Sequence, residues 1–399
     1  MSQHSWATTD EPEGETLVLE PTILMTNDLL MTDPPPPTGP SHWTEPQDDE
    51  EIDDEDVDSA LGRDNVSSTA SLSASIMEYR TIHGRRYHSA RGNTDYWGPN
   101  DEIQANSMDL THHTLTLLFE DKIYLSPIGD EPKKVLDVGC GTGIWAIDFA
   151  DIFPHCEVIG TDISPTQPCW IPVNLRFEMD DCNAVPWTFA PASFDLVHMR
   201  YMFGAIRDWT AVYAEAFRMC RPGTGWVEAV EPSIHVRSDD GSVSVGDGSA
   251  LAAWGPLFEE GARKYGAANS GDGGGATQGE GGGGGNSRPM NVVEDGLLAR
   301  TMRRAGFVDI VQRTFKCPLT PFSSDPRLKE IGTYARSAME EGMEGFALYL
   351  FTKGLGWSRE QVTVYLSRMR RELRDRRKSP YLLVQVVYGR RPETTETTG

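Results

Sequence analysis

The stretch Val135–Ile144, VLDVGCGTGI, sets three glycines, Gly139, Gly141 and Gly143, within five positions directly behind a run of strand-forming residues. Val135 to Val138 has the length and apolar character of a buried strand, and Ile144 to Phe153 brings Ile144, Ile147 and Phe153 near one helical face. Strand, bare turn and helix together make a place where a ligand can approach the main chain, because glycine adopts left-handed backbone and carries no side chain to obstruct it.

Working outward, the chain keeps alternating. EVIGTD (Glu157 to Asp162) is a second strand, Leu175 to Met179 a third, and SFDLVHM (Ser193 to Met199) a fourth. Thr210 to Cys220 follows as a helix, and the turn RPGTG (Arg221 to Gly225) leads into a fifth strand, Trp226 to Val230. Strands separated by helices or helix-sized gaps pair in parallel, so the fold class is α/β with a Rossmann-like sheet. Phe307 to Cys317 and YLLVQVVY (Tyr381 to Tyr388) add two later strands, with helices expected over Arg327 to Leu355 and Ser358 to Lys378 between them. The second of these helices opens with a capping box, Ser358 and Gln361, and stacks Val362, Leu366, Met369 and Leu373 on one stripe. Its basic run, Arg368 to Lys378, is therefore the wet face of a packed helix and not a nucleic-acid grip.

Three ligands compete for the glycine turn. A triphosphate loop needs GxxxxGK[ST], and no lysine is present here. A dinucleotide fold prefers GxGxxG, whereas this turn is GxGxG with Asp137 at the strand end before it. A carboxylate beside the loop disfavours an anion and favours a cationic amino or sulfonium group, which points to S-adenosylmethionine. Asp162 ends the second strand 19 positions after Gly143, where its two oxygens can accept both ribose hydroxyls, with Ile163 following it in the site. Asp180 and Asp181 follow the third strand, and one of them, with the backbone at Cys182, is placed to meet the adenine amino group and ring nitrogen. The cofactor set is thus Asp137, Gly139, Cys140, Gly141, Gly143, Asp162, Ile163, Asp180, Asp181 and Cys182.

The motifs YHSARGNTDYWGPND, VLDVGCGTGIWAIDFAD, EVIGTDISPTQP, FEMDDCNAVPW, RYMFGAIRDW and YGRRP, spread from Tyr87 to Pro392, resemble class I S-adenosylmethionine-dependent methyltransferases of the fungal LaeA-like group. The resemblance implies a seven-stranded sheet with its last strands antiparallel. It also implies lid helices before the first strand and between the last two, and lid contacts from Tyr87, Tyr96, Trp97 and Asn100. Methyl transfer is an in-line displacement at an activated carbon, so positioning and water exclusion can supply most of the acceleration. Where the acceptor is protonated a base is needed. His198 is the expected base, and Glu231 is expected to shape the acceptor pocket. His112 and His113 lack a third ligand at metal spacing and are structural.

The formal charge of -24 is uneven: residues 1–78 hold 19 Asp or Glu and one Arg, a net of -18, which leaves -6 for the rest. That tail, with PPPP at Pro34 to Pro37 and an acidic block from Glu45 to Asp58, buries too little apolar surface to order itself. It is either an arm that docks a protein partner or a solvating extension, and its sign opposes direct contact with nucleic acid. The expected organisation is a tail over 1–78, a methyltransferase domain over 79–392 with a flexible Gly-rich loop over 266–288, and a short tail over 393–399. No apolar window is long enough to span a bilayer and no secretory leader begins the chain, so the protein is expected inside the cell, cytoplasmic or nuclear. The six cysteines form no CxxC pair, so neither a zinc site nor a disulfide framework is expected. Two functional classes remain: a methyltransferase acting on a small secondary metabolite or a peptide, and a cofactor-binding regulator with little turnover. An open acceptor cavity separates the first from the second. A dehydrogenase is a distant third, disfavoured by Asp137.

Overall fold

The computed structural model describes residues 79–88, 96–246, 248–269 and 289–393. The acidic tail, the glycine run Gly271 to Gly285 and the last six residues lie outside them, so the expectations placed on those segments are not addressed by the structure.

A short antiparallel pair, β1 (Arg80–Ile82) and β2 (Arg85–Tyr87), precedes α1 (Glu102–Leu118). The alternating core follows: β3 (Lys134–Val138), α2 (Ile144–Ile152), β4 (Glu157–Asp162), β5 (Leu175–Met179), β6 (Leu196–Arg200), α3 (Trp209–Met219) and β7 (Trp226–Pro232). Then come α4 (Ala250–Asn269), α5 (Leu297–Ala305), β8 (Val308–Pro318), α6 (Pro326–Lys353), α7 (Arg359–Leu373) and β9 (Tyr381–Arg390). The sheet has seven strands in the order β5-β4-β3-β6-β7-β9-β8. β3 to β7 pair in parallel, and β9 runs against both β7 and β8.

Central strands covered on both faces are apolar throughout, not alternating. Val135, Leu136 and Val138 are buried, and every residue of β7 is buried. Several of the polar residues buried there are paired. Asp195, just before β6, accepts the backbone N–H groups of Lys133 and Lys134 at 2.7 and 2.9 Å and pairs with Arg221, which fixes the start of β3 against β6.

Above the carboxyl edge of the sheet sit α1, α4 and α6. Asp101 caps α1 by accepting the Gln104 N–H at 3.1 Å, and the same carboxylate receives Arg85 through two bonds of 2.6 and 2.8 Å, anchoring β2 to the helix. Ser107 of α1 donates to the Ala338 carbonyl of α6 at 2.8 Å, and Gly342 leaves the room that lets the two helices meet there. α7 has the anticipated capping box: Gln361 N–H donates to Ser358 at 3.3 Å and Ser358 N–H to the Gln361 side chain at 2.8 Å. Val362, Leu366, Met369 and Leu373 are its buried stripe. None of the described helices is long and apolar enough to cross a membrane, and no metal-binding cluster occurs among the described residues.

Candidate active site

The turn between β3 and α2 takes φ of +69° at Gly139, +58° at Gly141 and +80° at Gly143. Those values alone make side chains costly there, by about 1–2 kcal/mol each. At Gly143 space adds to the cost, since a Cβ would collide with the ring of Phe177, whereas at Gly139 and Gly141 it would meet the ends of the flexible Met202 and Met108 side chains. The turn is held from several sides. Cys140 N–H donates to the Thr161 carbonyl at 2.9 Å, and Thr166 and Gln167 donate to the Gly141 carbonyl at 3.1 and 2.7 Å. Asp162, at the end of β4, accepts the N–H of Gly141 at one oxygen and of Ser164 at the other, both at 2.9 Å. Burial pushes its carboxyl up to about 6, against the pull of the N–H groups of Gly141, Ser164 and Ile163.

A cavity of about 160 Å³ opens over this turn. Gly139, Gly141, Asp162 and Ile163 form one wall, and Asp180, Asp181, Cys182 and Asn183 form another. Tyr96, Trp97 and Asn100 close it from the chain before α1, with Met202 and Phe203 opposite. The segment after β5 is pre-set: Asp181 accepts from the backbone and side chain of Asn183 at 2.9 and 3.0 Å, and Trp187 donates to the Cys182 carbonyl at 3.1 Å. Burial, with Asp181 and Glu178 nearby, raises the Asp180 carboxyl.

Not every residue expected in the cofactor set reaches this cavity. Gly143 begins α2 against Phe177 and lines no wall. Asp137 and Cys140 face a second cavity instead. Tyr87 is fully buried against Tyr349, with ring centroids 5.5 Å apart, and lines neither cavity. The two residues expected to carry chemistry are also elsewhere. His198 is fully buried: its Nδ1 lies 2.8 Å from Asp137, and its ring stacks on Trp145 at 3.7 Å with planes 3° apart. Neither cavity touches it, so the placement does not suit a base. Asp137, His198 and Glu228 stand opposite one another on β3, β6 and β7, which explains why the histidine is built into the sheet. Glu231 is likewise fully buried, and its two oxygens accept the N–H groups of Met202 and Phe203 at 2.8 and 3.0 Å. It shapes the site by holding the loop after β6, and burial pushes its carboxyl to about 8.

The second cavity, about 150 Å³, adjoins the first through shared walls that include Gly139, Met108, Arg200, Tyr201 and Phe203. Its other walls are mainly apolar, among them Ile234, Trp254, Phe258, Leu319 and Leu382. Tyr201, between the two spaces, has φ +58°, a strained value for a tyrosine, and its N–H donates to the Val230 carbonyl at 3.0 Å. Sequence reasoning missed this residue, although its place one step beyond a strand end at the sheet's carboxyl edge was available as a signal.

Residues 110–265 match the family described as "Methyltransferase domain". "Methyltransferase pytC" of Aspergillus terreus is 34% identical over 312 residues, covering 77% of this chain and 87% of that protein. "Secondary metabolism regulator LAE1" of Cochliobolus heterostrophus is 31% identical over 316 residues, covering 78% and 94%. The chain belongs to the S-adenosylmethionine-dependent methyltransferases of the LaeA-like group. "Protein-methionine methyltransferase laeA" of Emericella nidulans is a more distant relative of the same group, 25% identical over 331 residues, covering 83% of this chain and 81% of that protein. The first cavity fits the methyl donor of this methyltransferase group. With Asp101 neutralised by Arg85, Asp162, Asp180 and Asp181 line it against Arg200, a balance that suits a sulfonium and ribose hydroxyls better than phosphate.

Proposed function

We propose that this methyltransferase binds S-adenosylmethionine in the first cavity and its acceptor in the second. The lone pairs of Asp162 not used by Gly141 and Ser164 would receive the ribose hydroxyls, and Asp180, Asp181 and the Cys182 backbone would border the adenine. Gly139 and Gly141 would admit the methionyl arm against bare backbone, with Trp97 as its cover. When bound, the cofactor supplies a methyl group on a positively charged sulfur.

The protein's contribution is then to hold, orient and exclude water. Glu231 fixes Met202, which borders the first cavity, and Phe203, which borders both, and α1, α4 and α6 roof the acceptor space. The acceptor class we assign is a small, largely apolar organic molecule or a peptide side chain, matched to walls such as Ile234, Trp254 and Phe258. The observation that carries this reading is the pair of adjoining cavities, one acidic at a glycine turn and one apolar. A regulator with little turnover would share the first cavity but has no need of the second. The acidic N-terminal stretch we assign to docking a protein partner.

Incubating the full chain with methyl-labelled cofactor and cell extract tests the proposal. Label should enter a small molecule or a peptide in an Asp162-dependent way. Cofactor binding with no label transferred would favour the regulator.

A further inference from the structure

Arg200, half-buried at the end of β6, differs from the buried Arg85. Arg85 spends its guanidinium on a two-bond ion pair with Asp101. Arg200, the last residue of β6, has among the described residues one hydrogen bond, to Nδ1 of the His112 imidazole at 3.0 Å, and no carboxylate within ion-pair distance. Guanidinium only donates, so Nδ1 must accept, and the Nε2 proton then points to Asp148 at 2.9 Å. His112 is thereby held neutral, in keeping with a pKa lowered by burial and by Arg200. The Asp148–His112 pair aims the arginine without neutralising it. Asp137, Asp148 and Asp109 act on it only through space. A half-buried cation without a close counter-ion is costly, and Arg200 lines both cavities where they adjoin.

We propose that Arg200 is a carboxylate receptor at that junction, with His112 as its positioning residue. This rests on the two-cavity reading above. Two sources can supply the group: the cofactor's methionyl carboxylate from the first cavity, or a carboxylate on the acceptor from the apolar second one. Either would form the planar, two-bond pair that guanidinium favours.

Calorimetry on the full chain separates the sources, using wild type, Arg200→Gln and Arg200→Lys, with melting temperatures recorded for each. One ligand pair is S-adenosylhomocysteine against 5′-methylthioadenosine, which lacks the amino-acid end. The other is phenylacetate against phenylacetamide, with and without S-adenosylhomocysteine present. If the cofactor supplies the group, Arg200→Gln weakens S-adenosylhomocysteine by about tenfold or more and leaves methylthioadenosine unchanged. If the acceptor supplies it, both nucleosides are unchanged, phenylacetate binds wild type more tightly than phenylacetamide does, and Arg200→Gln removes that preference. In either case Arg200→Lys recovers part of the loss. The proposal is overturned if Arg200→Gln leaves every carboxylate ligand unaffected, if it weakens methylthioadenosine as much as S-adenosylhomocysteine, or if wild type binds none of the carboxylates. Wild type that binds phenylacetate through Arg200 but neither nucleoside would remove the cofactor assignment while leaving the receptor in place.

Discussion

Asp162 Oδ2 accepts the Gly141 N–H at 2.9 Å, so the carboxylate proposed to hold the ribose also holds the turn proposed to admit the cofactor. Position and chemistry are coupled in one side chain. Its carboxyl, raised by burial to about 6 from an ordinary value of 3.8, must be ionised to accept two hydroxyls. Cofactor affinity should therefore be flat above neutral pH and fall as pH drops through about 6, by up to about tenfold per unit. Titration of S-adenosylhomocysteine between pH 5 and 8 checks this. Asp162→Asn should bind weakly with no such pH dependence, and an Asn variant with the wild-type profile would assign the titration to another group.

His198→Ala should act on stability. It leaves the Asp137 carboxylate buried without its partner and opens a gap beside Trp145, a loss of about 3–5 kcal/mol in unfolding free energy. Chemical denaturation measures it. A variant that folds as well as wild type yet has lost turnover would return His198 to the role of base.

For Glu231 the linkage runs the other way from a surface carboxylate. Its folded value, about 8, lies above its ordinary 4.5, so its protonated form favours the fold. That stabilisation is complete below about 4.5 and is lost as pH rises toward 8. Glu231→Gln, which does not titrate, should narrow its melting-temperature gap to wild type over this window. A gap independent of pH would contradict the assignment.

Ala335 is buried on the wall of the second cavity, away from the glycine turn. Ala335→Phe should fill that space at a cost of about 1–3 kcal/mol in stability. Label transfer should stop while affinity for S-adenosylhomocysteine stays within about twofold, since charge and backbone at the first cavity are untouched. Loss of both together would mean that the two spaces are one site.

The parallel core was legible because its signals are local. The strands at Glu157–Asp162 and Leu175–Met179 lie where the apolar runs and turn residues place them, and the capping box at Ser358 carries its own geometry. α2 shows where locality fails. Ile144 and Ile147 suggested its inner face, but Trp145, Ala146, Phe149 and Ala150 are the buried residues, because the helix rotates to stack Trp145 on His198. No spacing rule contains that partner, 53 residues on. The same holds for the carboxylates of β7. Glu228 and Glu231 look free in sequence, yet each binds two backbone N–H groups, Glu228 those of Leu125 and Ser126 and Glu231 those of Met202 and Phe203. The short β1–β2 pair and the helices α4 and α5 carried no signal strong enough to place them before the structure. Among the residues that line the first cavity, those on the strand-end loops, Asp162, Asp180 and Asp181, were legible in sequence, whereas Tyr201 and the His112–Arg200 contact depend on how α1 crosses the sheet edge.

A crystal of the full chain grown with S-adenosylhomocysteine tests the central claim most directly. The account predicts adenosyl density in the cavity over Gly139 and Gly141, with both ribose hydroxyls within hydrogen-bonding distance of Asp162. Density elsewhere, or a phosphorylated ligand taking that cavity in competition with it, would contradict it.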